Sequence, residues 1–171
     1  MKIITLLAFG LLSFNLLAES NRWQGQPLAK FSLADQHGNI KSNRDFTGKW
    51  AVIYFYPKDR TPGCTVEAQN FVNDFKSFQS LNTEIVGVSY DDTESHKDFS
   101  DTYEMQFTLL ADTEHDFSKA MDVDRILPWP HPSRQTFLVD PKGIIVKHYK
   151  DVTPKSHSKE LLADIKKFQK K

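Results

Sequence analysis

One sulfur nucleophile is available to this chain: Cys64, the only cysteine among 171 residues. It stands in the stretch Tyr54-Phe55-Tyr56-Pro57-Lys58-Asp59-Arg60-Thr61-Pro62-Gly63-Cys64-Thr65-Val66-Glu67-Ala68-Gln69, where an apolar run gives way to a polar one. Cysteine attacks as its thiolate, and a helix N-terminus or a neighbouring cation brings a thiol from about 8.5 toward roughly 3.5–7.5. A helix start is offered here. Pro62 suits the first helical position, where a backbone N–H would have no partner, and the amides of Gly63 and Cys64 would face an incoming anion or polarised oxygen. Thr61 places a hydroxyl just before them, while Pro57 and Pro62 stiffen the loop. The pattern suits a thiolate meeting a small polar partner. The bland alternative is a cysteine buried as a small hydrophobe, with Thr61 merely capping the helix.

Other chemistries are poorly served. His37, His96, His115, His131, His148 and His157 form no H-x-x-x-H spacing and no cluster with the cysteine, so neither a metal nor another cofactor is expected. A dithiol exchanger needs C-x-x-C, and a copper-delivery module needs two cysteines. A redox-sensing adaptor with one oxidisable thiol stays open. Basic and acidic residues balance at 22 each, so the electrostatic footprint of a nucleic-acid binder is absent.

Elements must bring these residues together, and the sequence predicts them in alternation. Ala51 to Tyr56 is apolar, β-branched and aromatic, and Pro57 ends it, as in a buried central strand. Behind it Ala68, Phe71, Val72, Phe75 and Phe78 recur at helical spacing, which places Cys64 in the helix's first turn. Ile85 to Val88 and Thr108 to Leu110 read as further strands. Asp92 or Thr93 caps a helix carrying His96, Phe99 and Tyr103, and another helix runs from about His115 to Ala120. Phe31 to Leu33 and Asn39 to Lys41 flank a turn-rich gap and suggest an N-terminal hairpin. Gln135 to Val139 and Ile144 to Tyr149 flank Asp140-Pro141-Lys142-Gly143 as a second hairpin. Ser158 to Phe168 closes the chain as an amphipathic helix. Hydrophobic residues at 39% and charged residues at 26% fit one globular domain, of layered α/β class. Trp129-Pro130-His131-Pro132 is a stiff loop, read either as a rim of the site or as a connector.

Lys2 followed by an apolar run from Ile3 to Leu17 and then Ala18-Glu19-Ser20 has the order of a secretory signal peptide. The run is shorter than the roughly 20 residues of a bilayer span and is broken by Thr5, Ser13 and Asn15. Residues 1–20 are therefore expected to be cleaved, after Ser20 or after Ala18, leaving a domain of residues 21–171 that is exported, to the periplasm, with no stable membrane association. Export normally brings paired cysteines; a single one is either inert or has a task.

The stretch YFYPKDRTPGCT resembles the peroxiredoxin Q, or bacterioferritin comigratory protein, group of the peroxiredoxins, whose P-x-x-x-T-x-x-C signature is met by Pro57, Thr61 and Cys64. Gly87-Val88-Ser89, Glu94-Ser95-His96-Lys97-Asp98-Phe99, Leu109-Leu110-Ala111-Asp112 and Arg134-Gln135-Thr136-Phe137-Leu138-Val139-Asp140 are similar to the same group. The resemblance implies a thioredoxin-like fold, a central mixed sheet flanked by helices. It implies reduction of hydrogen peroxide or organic hydroperoxides through a sulfenic acid on Cys64, with Thr61 and the Cys64 amide holding the peroxide. Arg134 would stabilise thiolate and transition state, and Pro57 would shield the pocket. Gln69 departs from the pattern, because many members of the group carry a resolving cysteine there. An external thiol is then implied as reductant, from a thioredoxin-like or glutaredoxin-like protein or a small molecule, serving a monomer or weak homodimer.

Overall fold

Side-chain alternation along Trp50–Phe55 decides where the middle of the molecule lies. Val52 and Tyr54 enter one hydrophobic cluster, while Ala51, Ile53 and Phe55 enter another on the opposite face. A strand apolar on both faces must be covered on both, and this one is. The computed structural model describes residues 22–170; the expected signal peptide, residues 1–20, lies outside them.

The strands are β1 (Ser32–Asp35), β2 (Ile40–Ser42), β3 (Trp50–Phe55), β4 (Thr83–Ser89), β5 (Thr108–Ala111), β6 (Asp124–Arg125), β7 (His131–Pro132), β8 (Gln135–Val139) and β9 (Ile145–Tyr149). The α-helices are α1 (Pro62–Ser80), α2 (Thr93–Thr102), α3 (Asp116–Ala120) and α4 (His157–Phe168), and a 3-10 turn covers Asn43–Phe46. Seven strands form one mixed sheet in the order β2-β1-β5-β4-β3-β8-β9. β3, β4 and β5 run parallel, while β8 pairs antiparallel with β3 and β9 with β8.

Phe71, Phe75 and Phe78 of α1, Phe99 of α2, and Leu161, Leu162 and Ile165 of α4 pack with Val52 and Tyr54 on one face. Phe117 of α3 packs with Leu28 and Phe31 on the other. Gly87 in β4 is tightly hemmed in: a Cβ there would stand 2.7 Å from the Tyr54 ring and 2.8 Å from Leu109, so the backbone comes this close to both side chains only as glycine.

The predicted N-terminal hairpin is present, with Phe31 just outside it and buried. Asp92, not Thr93, is the N-cap of α2, and its carboxylate accepts the Ser95 N–H at 2.9 Å. The short helix begins at Asp116, because His115 is its N-cap in the left-handed region at φ 63°. The stretch read as a stiff loop is half strand. His131 and Pro132 pair with Arg125 and Asp124, making a small hairpin whose tip exposes Ile126, Leu127 and Trp129. Two-residue strands are too short to leave a period in the sequence.

Candidate active site

Topology brings the thiol and a cation together. β3 ends at Phe55, and the chain crosses Pro57–Thr61 to enter α1, so Cys64 lies in a first helical turn at the carboxyl edge of the parallel strands. β8 runs antiparallel to β3 with Gln135 opposite Phe55. Its first residues therefore sit at that same edge, and Arg134, one residue earlier, projects onto the helix start. The Arg134 Nη2 is 3.0 Å from Cys64 Sγ. Gly63 allows this approach: a Cβ there would come within 3.3 Å of the same nitrogen.

Cys64 is 2% exposed. The first intrahelical donor is the Thr65 N–H, which reaches the Thr61 carbonyl at 2.9 Å. The Gly63 and Cys64 amides precede it and have no acceptor within the helix. Thr61 is the N-cap residue, yet its side chain makes no capping bond. Its Oγ1 donates to the Lys58 carbonyl at 2.9 Å, which commits the hydroxyl proton and leaves the oxygen lone pairs as acceptors.

Behind the thiol is a carboxylate that sequence reasoning missed. Glu67 is 1% exposed; Arg134 donates from Nη1 to its Oε2, and its Oε1 has no partner among the described residues. Burial raises its pKa to about 7 against the opposing pull of Arg134. Burial alone would lower Arg134, but Glu67 and Cys64 outweigh it and hold the guanidinium above its ordinary value. The guanidinium thus spends one nitrogen on a carboxylate and the other on sulfur, a fork that lysine cannot reproduce. Burial pushes the Tyr54 phenol well up, with Glu67 the largest charge contribution, and its hydroxyl also lacks a partner among the described residues. His157 on α4 donates to or accepts from Thr136 Oγ1 through Nε2 at 2.9 Å. Its pKa falls to about 4, from burial first and then from Arg134 and Lys147.

The loop leading to Cys64 is anchored by a second polar cluster. Asp59, 6% exposed, accepts from the Tyr56 hydroxyl at 2.7 Å and from the Ser95 hydroxyl at 2.8 Å, and faces His96 Nδ1 at 2.9 Å. Its own N–H donates to Asp91 at 2.9 Å. Burial raises the Asp59 pKa, but the His96 contact and the hydroxyl donors overcome it and leave the group lowered.

Of the residues expected at the site, the structure brings Cys64 and Arg134 into contact, sets Thr61 at the helix cap and leaves half-buried Pro57 at the end of β3. Gln69 is exposed and borders a surface hollow of about 500 Å³ with Val72 and Tyr103. Glu67 was detectable in principle, since a residue three positions after Cys64 shares its helix face, but nothing in the local sequence singles it out. Among the described residues no group of three or more histidine, cysteine, aspartate or glutamate side chains is placed to hold a metal ion.

The model of the AhpC/TSA family matches residues 24–148. Peroxiredoxin Bcp of Bacillus subtilis (strain 168) is 38% identical over 152 residues, covering 86% of this chain and 97% of the relative. The chloroplastic peroxiredoxin Q of Populus jackii is 39% identical over 148 residues, 86% of this chain and 68% of the relative. Among solved structures, a cysteine-to-serine variant of Xylella fastidiosa PrxQ superposes with a TM-score of 0.79 at 30% identity, covering 85% of this chain and 96% of that one. The bacterioferritin comigratory protein of Xanthomonas campestris, described by its alkyl peroxide reduction activity, gives 0.75 at 33% identity, over 81% and 91%.

Proposed function

The chain belongs to the AhpC/TSA family as a peroxiredoxin, an enzyme that reduces peroxides at the expense of thiols, and from that premise we propose that Cys64 is the attacking sulfur, with Arg134, Thr61 and Pro57 completing its site. The observation that carries this reading is the 3.0 Å contact between Arg134 Nη2 and Cys64 Sγ at a helix start. A thiolate there is paired with a cation and faces unpartnered amides.

The sulfur attacks the near oxygen of R–O–O–H. The S–O bond forms as the O–O bond breaks, the bonding pair leaves on the distal oxygen as alkoxide or hydroxide, and sulfur is oxidised by two electrons to sulfenic acid. Thr61 Oγ1, its own proton committed to Lys58, accepts the peroxide O–H. The Cys64 amide and the guanidinium donate to the oxygens that gain charge. Such preorganised donors are worth about 2.7–4 kcal/mol each in acyl-transfer sites. Pro57, with no N–H to offer, keeps one face of the pocket from competing for the peroxide.

Hydrogen peroxide and organic hydroperoxides both fit this scheme, since only the O–O–H group is recognised. Cys64 is the only cysteine, so a thiol from another molecule condenses with the sulfenic acid, water leaves, and a second thiol frees Cys64 as the mixed disulfide becomes a disulfide of the reductant. A thioredoxin-like protein, a glutaredoxin or a small thiol would each serve a monomeric or weakly dimeric enzyme. The Ile3 to Leu17 run supports export to the periplasm. The mass of the mature protein from a periplasmic extract checks this; a chain that keeps Met1 would contradict it.

The decisive experiment follows peroxide consumption with a panel of thiol reductants. Wild type should turn over with at least one, and Cys64→Ser should lose essentially all activity with its circular dichroism unchanged. A Cys64→Ser protein that keeps more than a few per cent of the rate would remove Cys64 from the mechanism.

A further inference from the structure

We propose that Asp59 and His96 form a buried charged pair that positions the peroxide site, acting through the loop that carries Thr61. The inference rests on the reading of Cys64 and Thr61 given above and adds two residues to it.

His96 is fully buried and lies between two acceptors: Nδ1 is 2.9 Å from Asp59 Oδ2, with the Tyr56 hydroxyl, whose proton goes to Asp59, 3.4 Å away, and Nε2 is 3.1 Å from the Leu110 carbonyl. A neutral imidazole has one donor and one acceptor. Two acceptors are both satisfied only by a ring with a proton on each nitrogen, which then faces the Asp59 carboxylate as its counterion. Asp59 in turn gathers Tyr56 at the exit of β3 and Ser95 in the first turn of α2, while its N–H is held by Asp91, which also accepts the Ser89 hydroxyl at 2.6 Å. One residue of the catalytic loop is thereby tied to β3, to α2, to β5 through His96, and to the segment after β4.

What lies between this anchor and the site makes the anchoring matter. Arg60 has φ 60°, a left-handed conformation that a non-glycine side chain holds only when its surroundings over-determine it. Asp59 fixes the chain on one side of Arg60; on the other, Thr61 returns its hydroxyl to Lys58 and its carbonyl to Thr65. Released from Asp59, the loop would relax toward ordinary φ and carry Thr61 Oγ1 away from its place at the start of the helix that carries Cys64. The Arg134–Cys64 contact arrives from β8 and does not depend on this loop. Loss of the pair should therefore impair reaction with peroxide more than reaction with a reagent that needs only the sulfur.

The test compares two rates on the reduced full-length domain: oxidation of Cys64 by hydrogen peroxide and its alkylation by iodoacetamide. For Asp59→Asn and His96→Gln, oxidation should slow by about tenfold to a hundredfold, the scale of a small misplacement, with alkylation within about twofold of wild type. Thr61→Val should show the same selective loss, and Asp59→Asn combined with Thr61→Val should be no slower than Thr61→Val alone, because the two act on one contact. Long-range nitrogen–proton correlation on wild type should find protons on both nitrogens of His96. A neutral His96 ring, a parallel fall of both rates, or losses that multiply in the double variant would each overturn the proposal. Should His96→Gln fail to fold, Asp59→Asn and Tyr56→Phe carry the kinetic comparison, and the wild-type spectrum stands regardless. Wild type that does not react with peroxide would defeat the catalytic reading of Cys64; active wild type with unchanged variants would defeat only the role of the pair.

Discussion

Arg134 answers to two groups at once, and each can be removed separately. Arg134→Lys keeps a charge but not the fork, so one of Glu67 and Cys64 loses its hydrogen bond. Its rate of oxidation by peroxide should fall by about a hundredfold or more, as for loss of an oxyanion donor, and stopped-flow mixing with peroxide reads this directly. Glu67 gives a pH signature. In the folded chain it holds its proton up to about 7, while in the unfolded chain it ionises near 4.3. Between those values the unfolded state binds fewer protons at this site, so the contribution of Glu67 to stability falls as pH rises and levels off above 7. Glu67→Gln cannot titrate and should lose that slope, by up to about 3 kcal/mol between pH 4.5 and 7; urea unfolding at several pH values measures it. The sequence exposed Cys64 and Thr61 because proline and glycine punctuate the turn around them. It hid Glu67, Asp59 and His96, since whether a polar side chain is buried against a partner dozens of residues away has no local signature.

Helix α1 carries the thiol at one end and is fastened along its length. The Asn70 amide donates to the Pro154 carbonyl at 3.1 Å, and Asp74 accepts from the Ser158 hydroxyl at 2.8 Å and from Lys159 at 2.5 Å. These bonds begin immediately after position 69. Residues five apart in an intact helix have Cα atoms about 8.6 Å apart, beyond the roughly 7 Å a disulfide tolerates. Gln69→Cys should thus form an internal disulfide with Cys64 on oxidation only as the first turns unwind, with loss of helix signal and faster proteolysis near Cys64, while wild type under the same peroxide keeps both. A Gln69→Cys sulfenic acid as long-lived as the wild type's would mean that these fastenings hold the helix shut. At the N-terminus of α4, His157 stays neutral down to about 4, whereas the unfolded ring takes up a proton below about 6.5. The contribution of this ring to stability is therefore lost as pH drops from 6.5 toward 4, opposite in sign to that of Glu67, and His157→Gln, which retains a donor for Thr136, should remove it, read as the difference from wild type in urea unfolding at several pH values. Of these elements the long helices were readable from their apolar spacing. The β6–β7 hairpin was not, because two residues cannot display a period of two.

At the scale of the whole molecule, the sheet is what sets the lone cysteine beside a cation. The alternating strands and helices were enough to give the α/β class. They could not give the antiparallel register that sets Gln135 opposite Phe55, because strand pairing is a long-range choice that the local pattern does not encode. One equivalent of peroxide should leave the protein monomeric, with a sulfenic acid that a dione reagent traps and intact-mass analysis counts. A disulfide-linked dimer as the main product would show that two copies of Cys64 resolve each other. The contact between Cys64 and Arg134 spans 70 positions of chain. During synthesis the thiol leaves the ribosome long before its cation does, and the strand that delivers the cation must then find the far side of β3. Until that late pairing closes, the emerging polypeptide carries an ordinary cysteine with no guanidinium beside it. On the proposed role of Cys64, the contact that activates the sulfur is thus absent through the period when the chain is unfolded and most open to damage.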